Sequence, residues 1–321
     1  DPSTVVTGQS CSTTYTATSA VGSNPATSCS GGSATNYAIT YVAGVVTVGL
    51  ASQTIAITSN PTTPTYGGIY NLTSTPGASG NPVLYTSATA GICTISGSIV
   101  TFVAVGTCTI NANQVGNSTY SPATQVQQSF AVAKAALTIT ASSPSVVYGA
   151  ATPSITATYT GLLNSDPSTV VTGQSCSTAY TPSSSVGSNP ATSCSGGSAT
   201  NYAITYDAGV VTITKAAQAT LTLAPQTVTL PSTITLAAPG GGSGIGAISY
   251  TLAGAGTASC TLAAGVLTAT QAGTCTVTAT KAADSSYNAA TTSVTIETFN
   301  PAPSTSFTLT YQTGAGGVIV G

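Results

Sequence analysis

Arginine, histidine, tryptophan and methionine are absent from this 321-residue chain, and only three lysines and five acids carry charge. The net charge of −2 therefore rests on almost nothing. Neutralising a polyanion takes many cations, so nucleic acid is excluded as a partner, and so is electrostatic attachment to anionic lipid. Without histidine, a serine or threonine hydroxyl has no base to activate it. Asp1, Asp166, Asp207, Asp284 and Glu297 are scattered over separate stretches, which leaves no paired-carboxylate centre and no acid-rich loop for calcium. Clustered CxxC ligands for zinc are missing as well. No enzyme activity, metal ligand or cofactor is expected. Long apolar runs are also lacking: mean hydropathy is +0.34, yet Thr or Gly breaks every run short of the ~18 residues that a membrane helix needs. Local cysteine pairs and a tandem layout speak against a membrane barrel, so no membrane insertion is expected. No leader segment stands at Asp1, so a secretion signal would have been removed or lie outside this stretch.

What the chain has in abundance is Val, Ile, Thr and Tyr in alternation, as in LTIT at 137–140, ITAT at 155–158 and YAIT at 202–205. That is the pattern of half-buried strands, and disordered chains are usually charged and poor in β-branched residues. The expected class is all-β. Repetition dominates the layout. Residues 1–48 return at 166–213 with a handful of substitutions, a shift of 165 positions, the signature of an array built by duplication. A second motif also recurs, GICTISGSIVTFVAVGTCTINA at 91–112 and ASCTLAAGVLTATQAGTCTVTA at 258–279, each followed by an NSTYSPA or DSSYNAA turn. The resulting order is a half repeat at 1–49, a different repeat at 50–134, the complete first repeat at 135–216, a second copy of the other at 217–298, and a β-strand tail at 299–321.

The eight cysteines fall into four local pairs: Cys11 with Cys29, Cys93 with Cys108, Cys176 with Cys194, and Cys260 with Cys275. One pair per repeat implies one intradomain disulfide each and an oxidising, extracellular compartment. Cys93 and Cys108 lie on neighbouring segments of an expected meander, which predicts a bridge within one sheet or at its edge. Tyr37, Ile39 and Tyr41 alternate and are followed by an Ala43-Gly44 turn into 45–48, which predicts a terminal hairpin at the end of the half repeat.

The unit with Tyr148-Gly149, Pro153, Tyr202, Tyr206 and a closing VTITKA at 211–216 resembles the MBG-type bacterial immunoglobulin-like domain. The units at 50–134 and 217–298 resemble a second bacterial Ig-like repeat, and SFTLTYQTGAGGVIVG at 306–321 is similar to the start of an internalin-type B repeat. These resemblances imply tandem Ig-like β-sandwiches in an elongated array, in secreted surface proteins that serve as stalks, adhesins or fibres without a shared catalytic residue.

Smaller motifs read plainly. Lys134, Lys215 and Lys281 are expected to be solvated residues at strand ends rather than partners in an isopeptide bond. Asn71 and Asn117 open glycosylation sequons in surface loops, and the Gly-rich stretch 239–246 lacks the lysine and helix of a phosphate loop, so it reads as a flexible loop. Most of the fifteen tyrosines recur at matching places in the repeats and are expected to pack, their hydroxyls satisfied.

The half repeat lacks about thirty residues that precede its complete copy, at 136–165. Open strand edges invite pairing. The tail alternates Phe307, Leu309 and Tyr311 with threonines and continues to Val318, Ile319 and Val320, so it is expected to complete the half repeat of another copy by strand addition. A contact of that kind does not close on itself and gives a filament. The expected partners are therefore the chain itself, head to tail, or neighbouring repeats of a longer chain, with surface glycans as further candidates. Two functions follow from this reading: subunit of an extracellular filament or cell-surface fibre, or stalk of a large adhesin whose tip lies elsewhere.

Overall fold

A computed structural model describes residues 3–305, and the tail positions singled out above, Phe307, Leu309, Tyr311, Val318, Ile319 and Val320, lie outside the described residues. The fold is all-β: apart from two 3-10 turns at Ser3–Val5 and Ser168–Val170, the regular elements among the described residues are strands. The chain divides into two compact units. One takes the residues up to Ile139 with Tyr159–Gln174 and Gly196–Thr205; the other takes Thr140–Thr158, Ser175–Ser195 and the chain from Tyr206 onward.

In the first unit, Ser10–Thr13, Ala26–Ser30 and Gly44–Val45 make a three-stranded sheet. Its register sets Cys11 directly opposite Cys29, and the two are joined with Cα atoms 4.0 Å apart. Further along, Ile69–Asn71, Ile99–Phe102 and Cys93–Ser96 form one sheet, while Val126–Val132, Gly106–Asn113 and Leu84–Ser87 form another. Strict alternation along Gly106–Asn113 turns Cys108, Ile110 and Ala112 inward, all fully buried. Cys108 and Ile110 pack with Leu72, Val100, Phe102 and Val132, and Phe130 meets Phe102 and Tyr70 edge to face. The Cys93–Cys108 disulfide ties these two sheets together. It is not the bridge within one sheet that the meander predicted, because the chain crosses to the opposite sheet between Phe102 and Gly106. Two buried glutamines close the loops: Gln114 accepts the Gly77 N–H and Gln53 accepts that of Ser79, both at 2.8 Å. Both carbonyls approach so close to Gly77 that a Cβ there would collide with them.

In the second unit, Thr227–Thr229, Thr295–Asn300, Gly273–Lys281 and Ile248–Gly254 follow one another across a sheet that Ala290–Thr291 extends. Ile234–Thr235, Val266–Thr268 and Thr261–Ala263 make a second sheet. Leu223, Ile234, Leu267, Val277 and Phe299 fill the core around the Cys260–Cys275 disulfide. The same unit holds the pairing of Ser175–Thr178 with Ala191–Ser195, joined by Cys176–Cys194, and the parallel pairing of Ser145–Val147 with Thr212–Thr214.

The terminal hairpin predicted for the half repeat is not formed, nor does the complete copy make one. In the second, Tyr202–Asp207 pairs with Ala135–Ala141, Gly209–Val210 with Ala191–Thr192, and Thr212–Thr214 with Ser145–Val147, so the chain changes sheet at each step. In the first, Gly44–Val45 pairs with Ala26–Thr27, and residues 36–43 carry no strand.

The duplication makes an internal control. Tyr180 and Tyr202 are 3% and 2% exposed, whereas their counterparts Tyr15 and Tyr37 are 45% and 52% exposed. Val211 and Ile213 are buried against Val146, Tyr148 and Val186; Val46 and Val48 are half-buried. Neighbouring strands, not residue identity, decide the burial. Truncating Ile213 to alanine is expected to cost about 2–5 kcal/mol, whereas Val48→Ala stays within about 0.5 kcal/mol, as measured by urea unfolding.

Candidate functional site

The residues that converge most closely in the first unit do so on a carboxylate. Gly161, with φ +107°, turns the chain where a Cβ would strike the Ala136 carbonyl. Asn164 and Ser165 continue in the left-handed region, a conformation that short polar residues tolerate. The Asp166 N–H donates back to the Leu163 carbonyl at 2.9 Å, and Pro167 then leads into the Ser168–Val170 turn. This tight loop holds the Asp166 carboxylate toward two phenols. Tyr202 donates its hydroxyl to Asp166 Oδ2 at 2.7 Å, and Tyr66 donates to the same oxygen at 2.9 Å.

Both tyrosines are fixed independently. The Tyr66 N–H donates to the Ala133 carbonyl and the Ala133 N–H to that of Pro64, a parallel bridge. Gly67, at φ +77°, presses so near Leu163 that no side chain fits. The Tyr202 hydroxyl also accepts the Leu163 N–H at 2.9 Å. The two rings meet edge to face, 5.4 Å between centroids, a favoured aromatic geometry. Around them, Asn201 Oδ1 accepts the Val105 N–H, its backbone carbonyl accepts the Ala135 N–H, and Lys134 Nζ donates to the Ala199 carbonyl. A cavity of about 280 Å³ opens beside the cluster, lined by Asp166, Val170, Ala199, Thr200, Asn201 and Tyr202. Burial, then the bond to Asp166, pushes the Tyr202 phenol up from 10.0 to about 12. This arrangement holds two chain segments together; Asp166 accepts from phenols, and its one assigned role is positional.

A second kind of junction occurs once in each unit. In the second unit, Ala216 donates to the Ser286 carbonyl and accepts from the Asn288 N–H, while Tyr287 meets Tyr148 edge to face at 5.6 Å. Asp284 shapes that loop: Oδ1 accepts the Ser286 and Tyr287 N–H groups and Oδ2 that of Ile245. Those donors, Ser286 first, hold its carboxyl below the usual range, with help from the Lys215 charge. In the first unit, Ala51 makes the matching pair of bonds to Thr119 and Ser121, and Asn117 stands in the aspartate's place, accepting from Thr119 and Tyr120.

The sequence-predicted sites sort as follows. All eight cysteines are paired as predicted by spacing. The sequon residue Asn117 donates Nδ2 to the Ser79 carbonyl, whereas Asn71 is exposed at the end of a strand. The Gly-rich stretch 239–246 is pinned rather than flexible: Gly240 forms a two-bond bridge with Thr222, and Gly241 and Gly246 lie against the Thr220 and Ala282 backbones. Among the described residues no group of three or more His, Cys, Asp or Glu could hold a metal ion, and no helix is long and apolar enough to cross a membrane. The Tyr66–Asp166–Tyr202 cluster was not legible as a site. Asp166 read as one scattered acid, and Tyr66 lies 100 residues away.

Residues 137–212 match the MBG domain of YGX type, whose Tyr-Gly falls at Tyr148-Gly149. Among solved structures, Drosophila N-cadherin EC1-4 is 8% identical with a TM-score of 0.28, covering 86% of this chain and 83% of its own. Sidekick-1 immunoglobulin domains 1–4 are 9% identical at 0.28, with the same coverage of 86% and 83%. Titin domains I67–I69 are 10% identical at 0.24, covering 78% and 99%. No curated protein sequence matches the chain.

The raised Tyr202 phenol carries a signed consequence. Its stabilisation is complete below the unfolded value of 10.0 and is lost as pH rises toward about 12. Asp166→Ala is expected to bring that phenol part of the way down toward 10, burial being the larger cause, in a phenolate absorbance titration assigned with Tyr202→Phe, and to cost about 1–3 kcal/mol by removing the acceptor that both hydroxyls share.

Proposed function

We propose that this chain is a stiff structural segment of an extracellular bacterial filament or cell-surface fibre. One observation supports this reading most: the junctions between successive segments are packed and hydrogen-bonded. In the first unit the Tyr66–Asp166–Tyr202 cluster joins residues 50–134 to the complete repeat. In the second, the Tyr148–Tyr287 contact and the Ala216 bonds do the same for the next segment. Two residues separate the strands Val126–Val132 and Ala135–Ala141. Loose linkers permit relative motion as a default, and such junctions oppose it. Four disulfides fit an oxidising, extracellular compartment, and the MBG match fits a non-catalytic surface repeat.

Copies of the chain are its proposed partners, joined head to tail. The exposed Tyr15 and Tyr37 and the half-buried Val46 and Val48 offer a face onto which the Phe307, Leu309 and Tyr311 stretch adds strands in another copy. A near-neutral surface does not oppose such contact. A stalk of a larger adhesin would use the same stiffness without self-assembly, its ligands surface glycans.

Negative-stain microscopy of the purified chain and of a variant lacking residues 304–321 separates these readings. Fibres that vanish with the deletion are the expected result. Fibres of unchanged length would sink strand donation, and single particles from both proteins, with binding on a glycan array, would assign the stalk.

A further inference from the structure

The chain contains one glutamate, and it is placed where a hydrophobic residue belongs. Along Thr295–Asn300 the side chains of Thr295, Glu297 and Phe299 turn inward, and Glu297 is fully buried. It stands directly opposite Cys275, itself part of the apolar cluster with Leu267, Val277 and Phe299. The sister repeat shows what this position ordinarily takes: opposite Cys108 the matching residue is Phe130, in edge-to-face contact with Phe102 and Tyr70. A carboxyl has replaced an aromatic ring.

Its hydrogen bonds are incomplete. Oε2 accepts the Gln226 N–H at 2.6 Å, whereas Oε1 has no partner. Gln226 leads into Thr227–Thr229, the strand that runs parallel to the Glu297 strand, with Thr227 beside Thr298 and Thr229 beside Asn300. Backbone bonds from Thr298 to Gln226 and from Leu230 to Asn300 frame that short pairing. The carboxyl therefore fastens one end of it.

The groups facing Glu297 do not balance a charge. Gln226 is neutral, Cys275 is held in a disulfide, and Thr295 donates its hydroxyl to the Leu223 carbonyl. Of the charged and titratable groups elsewhere in the unit, Lys281 ends the far side of the Gly273–Lys281 strand, Tyr250 donates to the Ala237 carbonyl, and Asp284 is engaged in its own loop. Burial raises the Glu297 carboxyl above its usual range, and the Gln226 N–H offsets part of that. A neutral acid fits an apolar row; an ion with one donor does not.

We propose that Glu297 is a proton-operated latch between the first and last strands of this repeat, closed while the carboxyl is neutral and released when it ionises. Ionisation strengthens the bond from the Gln226 N–H but leaves a charged Oε1 without a donor in an apolar row; that larger cost opens the Gln226 edge so that water reaches Oε1. The sign follows from linkage: stability is complete below the unfolded carboxyl range and is lost as pH rises through the folded value. Asp284, held low, acts in the opposite sense and supports its loop until pH falls. The latch is independent of whether the chain forms fibres.

Because the glutamate is single, carbon-13 glutamate labelling of the whole chain gives one side-chain carboxyl signal. It is expected to titrate above the ordinary glutamate range. Between the ordinary glutamate range and that higher value, amide protection at Thr298 and Leu230, corrected for intrinsic exchange, is expected to fall about tenfold per pH unit. Glu297→Gln, which keeps an acceptor for Gln226, removes that dependence. A carboxyl titrating in the ordinary range, or equal pH dependence in the variant, overturns the latch; the first readout needs no variant to fold.

Discussion

An alternating strand supplies half a core, and whatever lies across from it supplies the other half. This constraint governs the chain more than any single residue does. Tyr202 is 2% exposed and its twin Tyr37 52% exposed although the two sit in nearly the same sequence. In the complete copy the preceding strands provide the covering surface: Val146 and Tyr148 pack on Val211 and Ile213, and the Ala150 carbonyl accepts the Tyr180 hydroxyl. Hydrophobic burial is proportional to the area removed from water, so identical side chains stabilise one copy and leave the other open.

That constraint also explains what could be read from the sequence. Period-two alternation says which side chains share a face, and it identified strands such as Gly106–Asn113 and Ala135–Ala141 with their inward rows. The equal spacing of the cysteines identified their partners. Alternation does not say which sheet a strand joins. The Cys93–Cys108 bridge was assigned to one sheet because its strands are adjacent in sequence, and it spans two because the chain crosses over. Alternation at 37–48 predicts a hairpin for the same reason, yet in the complete copy the matching stretch 202–214 sends its three short strands to three different partners.

The junction was less legible still. Its parts come from positions 66, 134, 166 and 201–202, and none has a local signature of its role. Tyr202 is followed by the same Ala-Ile-Thr-Tyr as Tyr37, so the local sequence does not mark Tyr202 as a junction residue. Only the loop at Gly161 to Asp166, with its run of left-handed residues, carried a hint of a tight turn with a purpose.

The scarcity of charge acquires a different meaning once the acids are placed. Asp166 accepts two phenols, Asp284 accepts three backbone N–H groups, and Glu297 accepts one in an apolar row. Donors converge on Asp166 and Asp284 but not on Glu297, and where a donor set can be served by an amide the sister repeat uses one, as Asn117 does in the place of Asp284. Gln53 and Gln114 fasten their loops in the same uncharged way. An amide offers both donor and acceptor without the desolvation cost of an ion, so a chain that folds with threonine, glutamine and tyrosine hydrogen bonds has little need of salt bridges. Asp166 and Asp284 are acids whose hydrogen bonds use a carboxylate, whereas Glu297 is buried with a single backbone donor, where the neutral acid is the favoured form.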